Sequence, residues 1–230
     1  MRLSARSSRI VRKHIAIRLA LVTLLGALAG TTCARAAGVS VAVKLSDGRP
    51  LAGAVVTVQS TGKKLGPATP IRAVMDQMHR MFVPEVLVIP VGSSVSFPNS
   101  DSVSHQIYSF SPAKRFQLPL YRGKPYPPVL FDQPGIVVLG CNIHDWMIGY
   151  IYVTDASFYG TTDAQGTWTA EVPAGRYEIT VWHPRTREQT QTLVRELSVD
   201  ARDRVTLTLQ LTKPLRPAPM EGGSPSWDSY

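Results

Sequence analysis

The sequence predicts an all-β protein of sandwich type. Short β-branched and apolar runs recur between clusters of Gly, Pro, Asn, Asp and Ser, and no stretch carries a convincing amphipathic helical pattern. Composition agrees: 230 residues with 44% hydrophobic and 18% charged side chains have room for one or two domains, which excludes wholesale disorder and a polytopic membrane protein.

Residues 1–36 read as a signal peptide. A basic stretch ending at Arg18 precedes the apolar run Leu19 to Ala29, too short to span a bilayer, and Ala34-Arg35-Ala36 supplies a small-x-small cleavage pattern. The formal charge of +9 is concentrated there: seven basic residues and no acid stand in the first 36 positions. The remainder carries 18 basic against 16 acidic side chains, so the basic balance speaks for export to the periplasm and not for nucleic acid, and no transmembrane span remains after cleavage. Cys33 leaves with the signal, so the mature chain holds the single thiol of Cys141. In an oxidising compartment such a thiol is expected to be deeply buried, paired between chains, or bound to a metal.

Along the mature chain, Val39 to Leu45 alternates as a strand, Ser46 to Pro50 is turn chemistry and Ala54 to Gln59 is a second β-branched run, together predicting a β-hairpin. Further on, the turn Thr162-Asp163-Ala164-Gln165-Gly166 precedes strands at Thr167 to Val172, Tyr177 to Trp182 and Arg204 to Leu211. Between these outer segments, Glu85 to Ile89, Ser94 to Phe97, Gln106 to Phe110, Ile136 to Leu139 and Gly149 to Val153 are candidate strands. Ile71 to Met81 reads as one short helical turn, and residues 213–230, with four prolines and few apolar side chains, as a disordered tail.

The outer segments resemble the carboxypeptidase-regulatory and transthyretin-like sandwiches. Gly48 to Val56 is similar to their first hairpin; Thr162 to Gly166, Val172-Pro173 and Gly175-Arg176-Tyr177 are similar to their second half. Because about 100 residues separate the halves, the resemblance implies a discontinuous sandwich, residues 37–61 and 159–212, with a second domain, residues 62–158, inserted through one loop.

The inserted segment carries the chemistry. Cys141-Asn142-Ile143-His144-Asp145-Trp146-Met147 places a thiol, an imidazole and a thioether in one seven-residue loop, and His105 lies 36 residues upstream at the start of a strand pattern. Two histidines and one cysteine in a trigonal plane, with a weak axial methionine, form the blue-copper electron-transfer site.

Here the chain resembles the cupredoxins, and the Cys-x-x-His-x-x-Met spacing is similar to that of the amicyanin branch. Val91-Gly92-Ser93-Ser94-Val95-Ser96-Phe97-Pro98-Asn99, followed by His105, looks like the segment that delivers the first histidine; Pro134-Gly135-Ile136 looks like the turn leading to the cysteine, and Gly149 to Val153 like the last strand. The resemblance extends to periplasmic methylamine-utilisation and plastocyanin-like proteins. It implies a cupredoxin-like Greek-key β-sandwich holding one type 1 copper ion on His105, Cys141, His144 and Met147, and a role as a single-electron carrier meeting a transient redox partner. Gln106 stands where the family has an asparagine that ties the ligand loops, with Asn142 as its possible mate, and Ile143 and Asp145 replace loop prolines.

Further groups have blander readings. Met75, Met78, His79 and Met81 could form a second soft-metal site, although such a stripe more often packs on a core. His183 reads as structural, and Lys114, Arg115, Arg122 and Lys124 as scattered surface charge or a docking patch for an acidic partner. No nucleophile elbow, phosphate loop or zinc-protease motif occurs, and the expectation is that the protein is not an enzyme. Two alternatives stand beside electron transfer: copper delivery or buffering, and a metal-free structural or interaction sandwich.

Overall fold

The computed structural model describes residues 37–63, 65–123, 125–187, 194–200 and 204–218. The expected signal peptide 1–36, Lys124 and the last twelve residues of the expected tail, 219–230, lie outside the described residues. What is described is all β, without a helix.

The strands are β1 (Ala37–Lys44), β2 (Val55–Ser60), β3 (Arg72–Val74), β4 (Asp76–Met78), β5 (Met81–Val83), β6 (Val86–Pro90), β7 (Ser93–Ser96), β8 (His105–Ser111), β9 (Lys114–Tyr121), β10 (Val129–Phe131), β11 (Gly135–Cys141), β12 (His144–Thr154), β13 (Phe158–Thr161), β14 (Thr167–Val172), β15 (Gly175–Trp182), β16 (Val194–Val199) and β17 (Arg204–Gln210). They build two hydrophobic cores. One lies between the sheets β14-β1-β17 and β13-β2-β15-β16; the other involves β6-β12-β11-β8-β9, β10-β7-β3 and the hairpin β4-β5. Every buried member of the second core falls between Met75 and Val153, inside the sequence gap left by the first.

The outer core follows from period-two alternation. β1 turns Ala37, Val39, Val41 and Val43 inward, and it is flanked by β14 antiparallel and β17 parallel. The hairpin expected between β1 and β2 does not form: the strands lie in opposite sheets. The cause is in the composition of β2, whose first four residues are all buried. Such a strand needs neighbours on both edges and cover for its apolar side chains; β13 and β15 flank it, and Val56 and Val58 join the outer core. The arch between them is stitched to the far half of the chain. The buried Thr162 hydroxyl donates to Leu51 O at 2.6 Å and accepts from Ala54 N–H at 3.0 Å. The predicted turn at 162–166 is present, with the Asp163 carboxylate accepting from Gln165 and Thr167 N–H.

Trp182 on β15 links the two sets of strands by packing its ring against Tyr150 and Tyr152 of β12, with centroids 5.8 and 5.5 Å away. The neighbouring His183 is buried, and loss of hydration, helped by the Arg185 charge, pushes its imidazole down to about 4, consistent with a structural side chain. Of the expected tail, Leu215 packs against the outer core and Arg216 N–H donates to Arg185 O at 2.8 Å.

The inner sheet places β8, β11 and β12 side by side. The short helical turn expected at 71–81 is instead strand β3 followed by the hairpin β4-β5. His79 and Arg80, at φ of 53° and 56°, make a two-residue turn of the kind whose twist matches antiparallel strands. Gln77, which breaks the apolar pattern, is fully buried, and its amide donates to Pro98 O and to the Tyr121 hydroxyl. Hydrogen bonds from Met75 N–H to Ser96 O and from Gln77 N–H to Pro98 O then sew β4 to the segment that leads to β8.

Strand β5 lies against β12 at a point where β12 has no side chain. A Cβ placed on Gly149 would stand 2.8 Å from both Cβ and Cγ of the buried Phe82. Gly149→Ala is expected to lower the unfolding free energy by about 1–3 kcal/mol through overpacking. Denaturant titration should show a lower midpoint at unchanged slope, and an unchanged midpoint would contradict the close approach.

Candidate metal centre

Three donor side chains meet at one end of the inner sheet. His105 opens β8, Cys141 closes β11 and His144 opens β12, and these strands are neighbours, so residues 36 and 39 positions apart in sequence become adjacent. Alternation sets the direction. His105, Ile107 and Ser109 are the buried set of β8, and Val137, Leu139 and Cys141 that of β11, so imidazole and thiol both point into the core.

The seven-residue ligand loop expected from the sequence is tighter than that. Only Asn142 and Ile143 form the turn, because Cys141 already pairs with His144. Gly140 then pairs with Ile148, so Asp145, Trp146 and Met147 are absorbed in a bulge on β12. The bulge leaves Met147 on the buried side with Gly149, Ile151 and Val153, at 1% exposure in the same core cluster as Cys141. His144 remains half-buried and Asp145 exposed.

The Cys141 sulfur lies 3.8 Å from His105 Nδ1 and 3.9 Å from His144 Nδ1, and the three donor atoms are all within 4.8 Å of one another. Bonds of about 2.0 Å to nitrogen and about 2.3 Å to sulfur, the values for zinc, would separate N and S by about 3.7 Å around a trigonal ion and about 3.5 Å around a tetrahedral one. The observed spacings are of the size that one ion bonded to both atoms would set. A soft thiol flanked by two imidazoles is also a donor set suited to copper or zinc, so these three residues could hold a metal ion.

The orientation and tautomer of His105 are set from behind. Its Nε2 lies 3.0 Å from Asp101 Oδ2, and the His105 side chain is fully buried. That contact is the largest cause holding the Asp101 carboxyl at about 2, with Arg80 and Ser102 N–H groups assisting and burial opposing. An ionised carboxylate only accepts, so Nε2 carries the proton and Nδ1 turns its lone pair toward Cys141. His144 is held below its ordinary value first by burial, then by His105 and the Arg80 charge, which favours the neutral, ligating imidazole.

The loop before His105 is itself tied down. The buried Asn99 amide donates to Val103 O and Tyr121 O, its carbonyl oxygen accepts from Asp101 N–H, and the Tyr121 hydroxyl donates to Phe97 O. Burial pushes the Tyr121 phenol up to about 12. The ties around the first histidine thus run from Asn99 and Asp101, where the sequence pointed to Gln106 and Asn142. Asp101, Asn99, Gln77 and Tyr121 were missed as support for the site. Their one signal in the sequence was the polar run Asn99-Ser100-Asp101-Ser102 directly before a ligand.

Of the other candidates, Met75 is fully buried in the inner core, whereas Met78, His79 and Met81 stand exposed on the β4-β5 hairpin. Lys114 pairs with Asp132 at 3.4 Å, while Arg122 is exposed and Arg115 lies on β9. Met81, Phe82, Glu85, Trp146, Met147, Ile148 and Ala218 line a cavity of about 300 Å³, and the buried Trp146 Nε1 has no hydrogen-bond partner among the described residues.

No family model and no curated protein matches the sequence. Among solved structures, the chain is similar to a purple cupredoxin from Nitrosopumilus maritimus, at 27% identity over 36% of this chain and 99% of that one, with a TM-score of 0.33. A copper-containing nitrite reductase from Thermus scotoductus is matched at 25% identity over 49% of this chain and 28% of the reductase, with a TM-score of 0.34. A reduced amicyanin variant is matched at 18% identity over 43% of this chain and 99% of that one, with a TM-score of 0.33.

Asp101→Asn keeps the shape but removes the charge behind His105. Its metal affinity, measured by competition with a chelator, is expected to fall about 10- to 100-fold while the protein stays folded. An unchanged affinity would mean that His105 is oriented by its packing alone.

Proposed function

We propose that the protein is a periplasmic carrier of single electrons, holding one type 1 copper ion between His105, Cys141 and His144 with Met147 as the weak axial donor. The observation that carries this reading is the placement of two imidazole nitrogens 3.8 and 3.9 Å from one buried thiol sulfur. Copper, when bound, supplies the one-electron couple.

The chain's own contribution is to hold the donors still. His105 is fixed by Asp101, Cys141 by the end of β11, and His144 by its pairing with Cys141 across a two-residue turn. Donors held in place by packing and hydrogen bonds change position little between oxidation states, which lowers the cost of moving an electron. Met147, which the bulge keeps in the buried cluster that also holds Cys141, would supply the fourth, weaker donor.

The electron would leave through His144. It is half-buried, its ring lies 5.3 Å from that of Trp146, and Ile143 beside it is exposed. Such an edge suits a brief encounter with a redox partner protein, and the reading assigns no catalytic step to this chain. Export to the periplasm rests on the basic, apolar and small-residue pattern of residues 1–36. Among the described residues no helix is long and apolar enough to cross a membrane.

The test is Cu(II) titration of the mature protein, followed by visible absorption and electron paramagnetic resonance. One equivalent should give an intense thiolate-to-copper band with narrow hyperfine splitting, and Cys141→Ser should lose both. A colourless complex, or spectra indifferent to Cys141→Ser, would overturn the reading.

A further inference from the structure

The hairpin β4-β5 inverts the usual rule for a two-faced ribbon. Its polar Gln77 is fully buried opposite Phe82, while the thioether side chains Met78 and Met81 are 37% and 49% exposed. The ladder register places Met78 directly across from Met81, a pairing that brings Cβ atoms to about 4.5–5.5 Å on one face. Between them the turn carries His79, also exposed. Two thioethers and an imidazole thus stand within four consecutive residues, all of them exposed.

The tip is held in place. Arg80 N–H donates to Asp101 Oδ2 at 2.7 Å, and that same oxygen contacts His105 Nε2. At the hairpin's base the Asp76 carboxylate accepts from the Ser100 hydroxyl at 2.7 Å. A turn braced at both ends presents its side chains in a limited set of directions, as a binding site requires. Met81 also lines the cavity of about 300 Å³ that Trp146 and Met147 line, so the hairpin is continuous with the surroundings of the first centre.

We propose that Met78, His79 and Met81 form a second metal site, selective for a soft monovalent ion, Cu(I), at the rim of the first centre. Thioether and imidazole donors without a carboxylate or thiolate favour Cu(I) over Cu(II) and over hard cations. Met75, the fourth member of the sequence cluster, takes no part because it is buried in the core. The site depends on no ligand of the first centre and would serve to capture Cu(I) beside it.

The experiment follows the methionine methyl resonances of the full mature chain, by carbon–proton correlation, as Cu(I) is added under reducing conditions to the wild type and to Cys141→Ser. Met78 and Met81 should shift together in both proteins. Met78→Leu/Met81→Leu, a change at exposed positions that preserves apolar volume, should weaken this second equivalent more than about tenfold against a competing chelator. Shifts confined to Met147 would overturn the hairpin site while leaving the first centre intact. Shifts of Met78 and Met81 without any at Met147 would support the hairpin site and count against the axial role of Met147. Shifts of Met78 and Met81 that appear equally with Zn(II) would overturn the proposed selectivity.

Discussion

A fully buried histidine must satisfy both ring nitrogens, and the arrangement of the inner lobe follows from how His105 does so. Asp101 takes the proton-bearing Nε2, which leaves Nδ1 facing Cys141 across 3.8 Å. The carboxylate, itself only partly buried, takes further donors that stabilise its charge. Arg80 and Ser102 N–H supply them. One carboxylate therefore binds together the tip of β4-β5, the loop before β8, and the first residue of β8.

The same logic explains why polar residues lie where a β core would ordinarily be apolar. Gln77, Tyr121 and Asn99 are buried, and their side-chain donors are taken up by the carbonyls of Phe97, Pro98, Val103 and Tyr121 and by the Tyr121 hydroxyl, while Gln77 Oε1 has no hydrogen-bond partner among the described residues. A hydrogen bond of this kind contributes about 1 kcal/mol net, so the network adds modestly to stability. Its larger effect is on uniqueness: a segment whose carbonyls are claimed by fixed partners has few alternative conformations, and His105 inherits that rigidity. The bulge after Gly140 acts similarly on the other side, holding His144 against Cys141 while keeping Met147 on the buried face.

The nearness of Cys141 and His144 was legible in the sequence because their spacing is local, three residues, and the alternation of β8 and β11 settles the inward face of His105 and Cys141, although His105 reaches them only through the pairing of β8 beside β11. The turn at 162–166 was legible for the same reason, since Asp163 and Gly166 carry its chemistry within a few residues. What escaped was non-local. Asp101 in a run of Asn, Ser and Asp is indistinguishable from ordinary turn chemistry until His105 is seen behind it. The β4-β5 hairpin was hidden because buried Gln77 donates to Tyr121, 44 residues away, which inverted the apolar pattern. β1 and β2 read as a hairpin because turn residues separate them, and only the two-sided burial of β2 reveals opposite sheets.

The account rests on a centre formed by the fold before any metal arrives. Crystal structures of the mature protein, metal-free and copper-loaded, test this directly. The account predicts that His105 Nδ1, His144 Nδ1 and Cys141 Sγ keep their relative positions to within about 0.5 Å, with the Asp101 contact intact in both. A metal-free form in which His105 has left Asp101, or in which the 142–147 segment has moved the His144 nitrogen several ångströms from the sulfur, would contradict it.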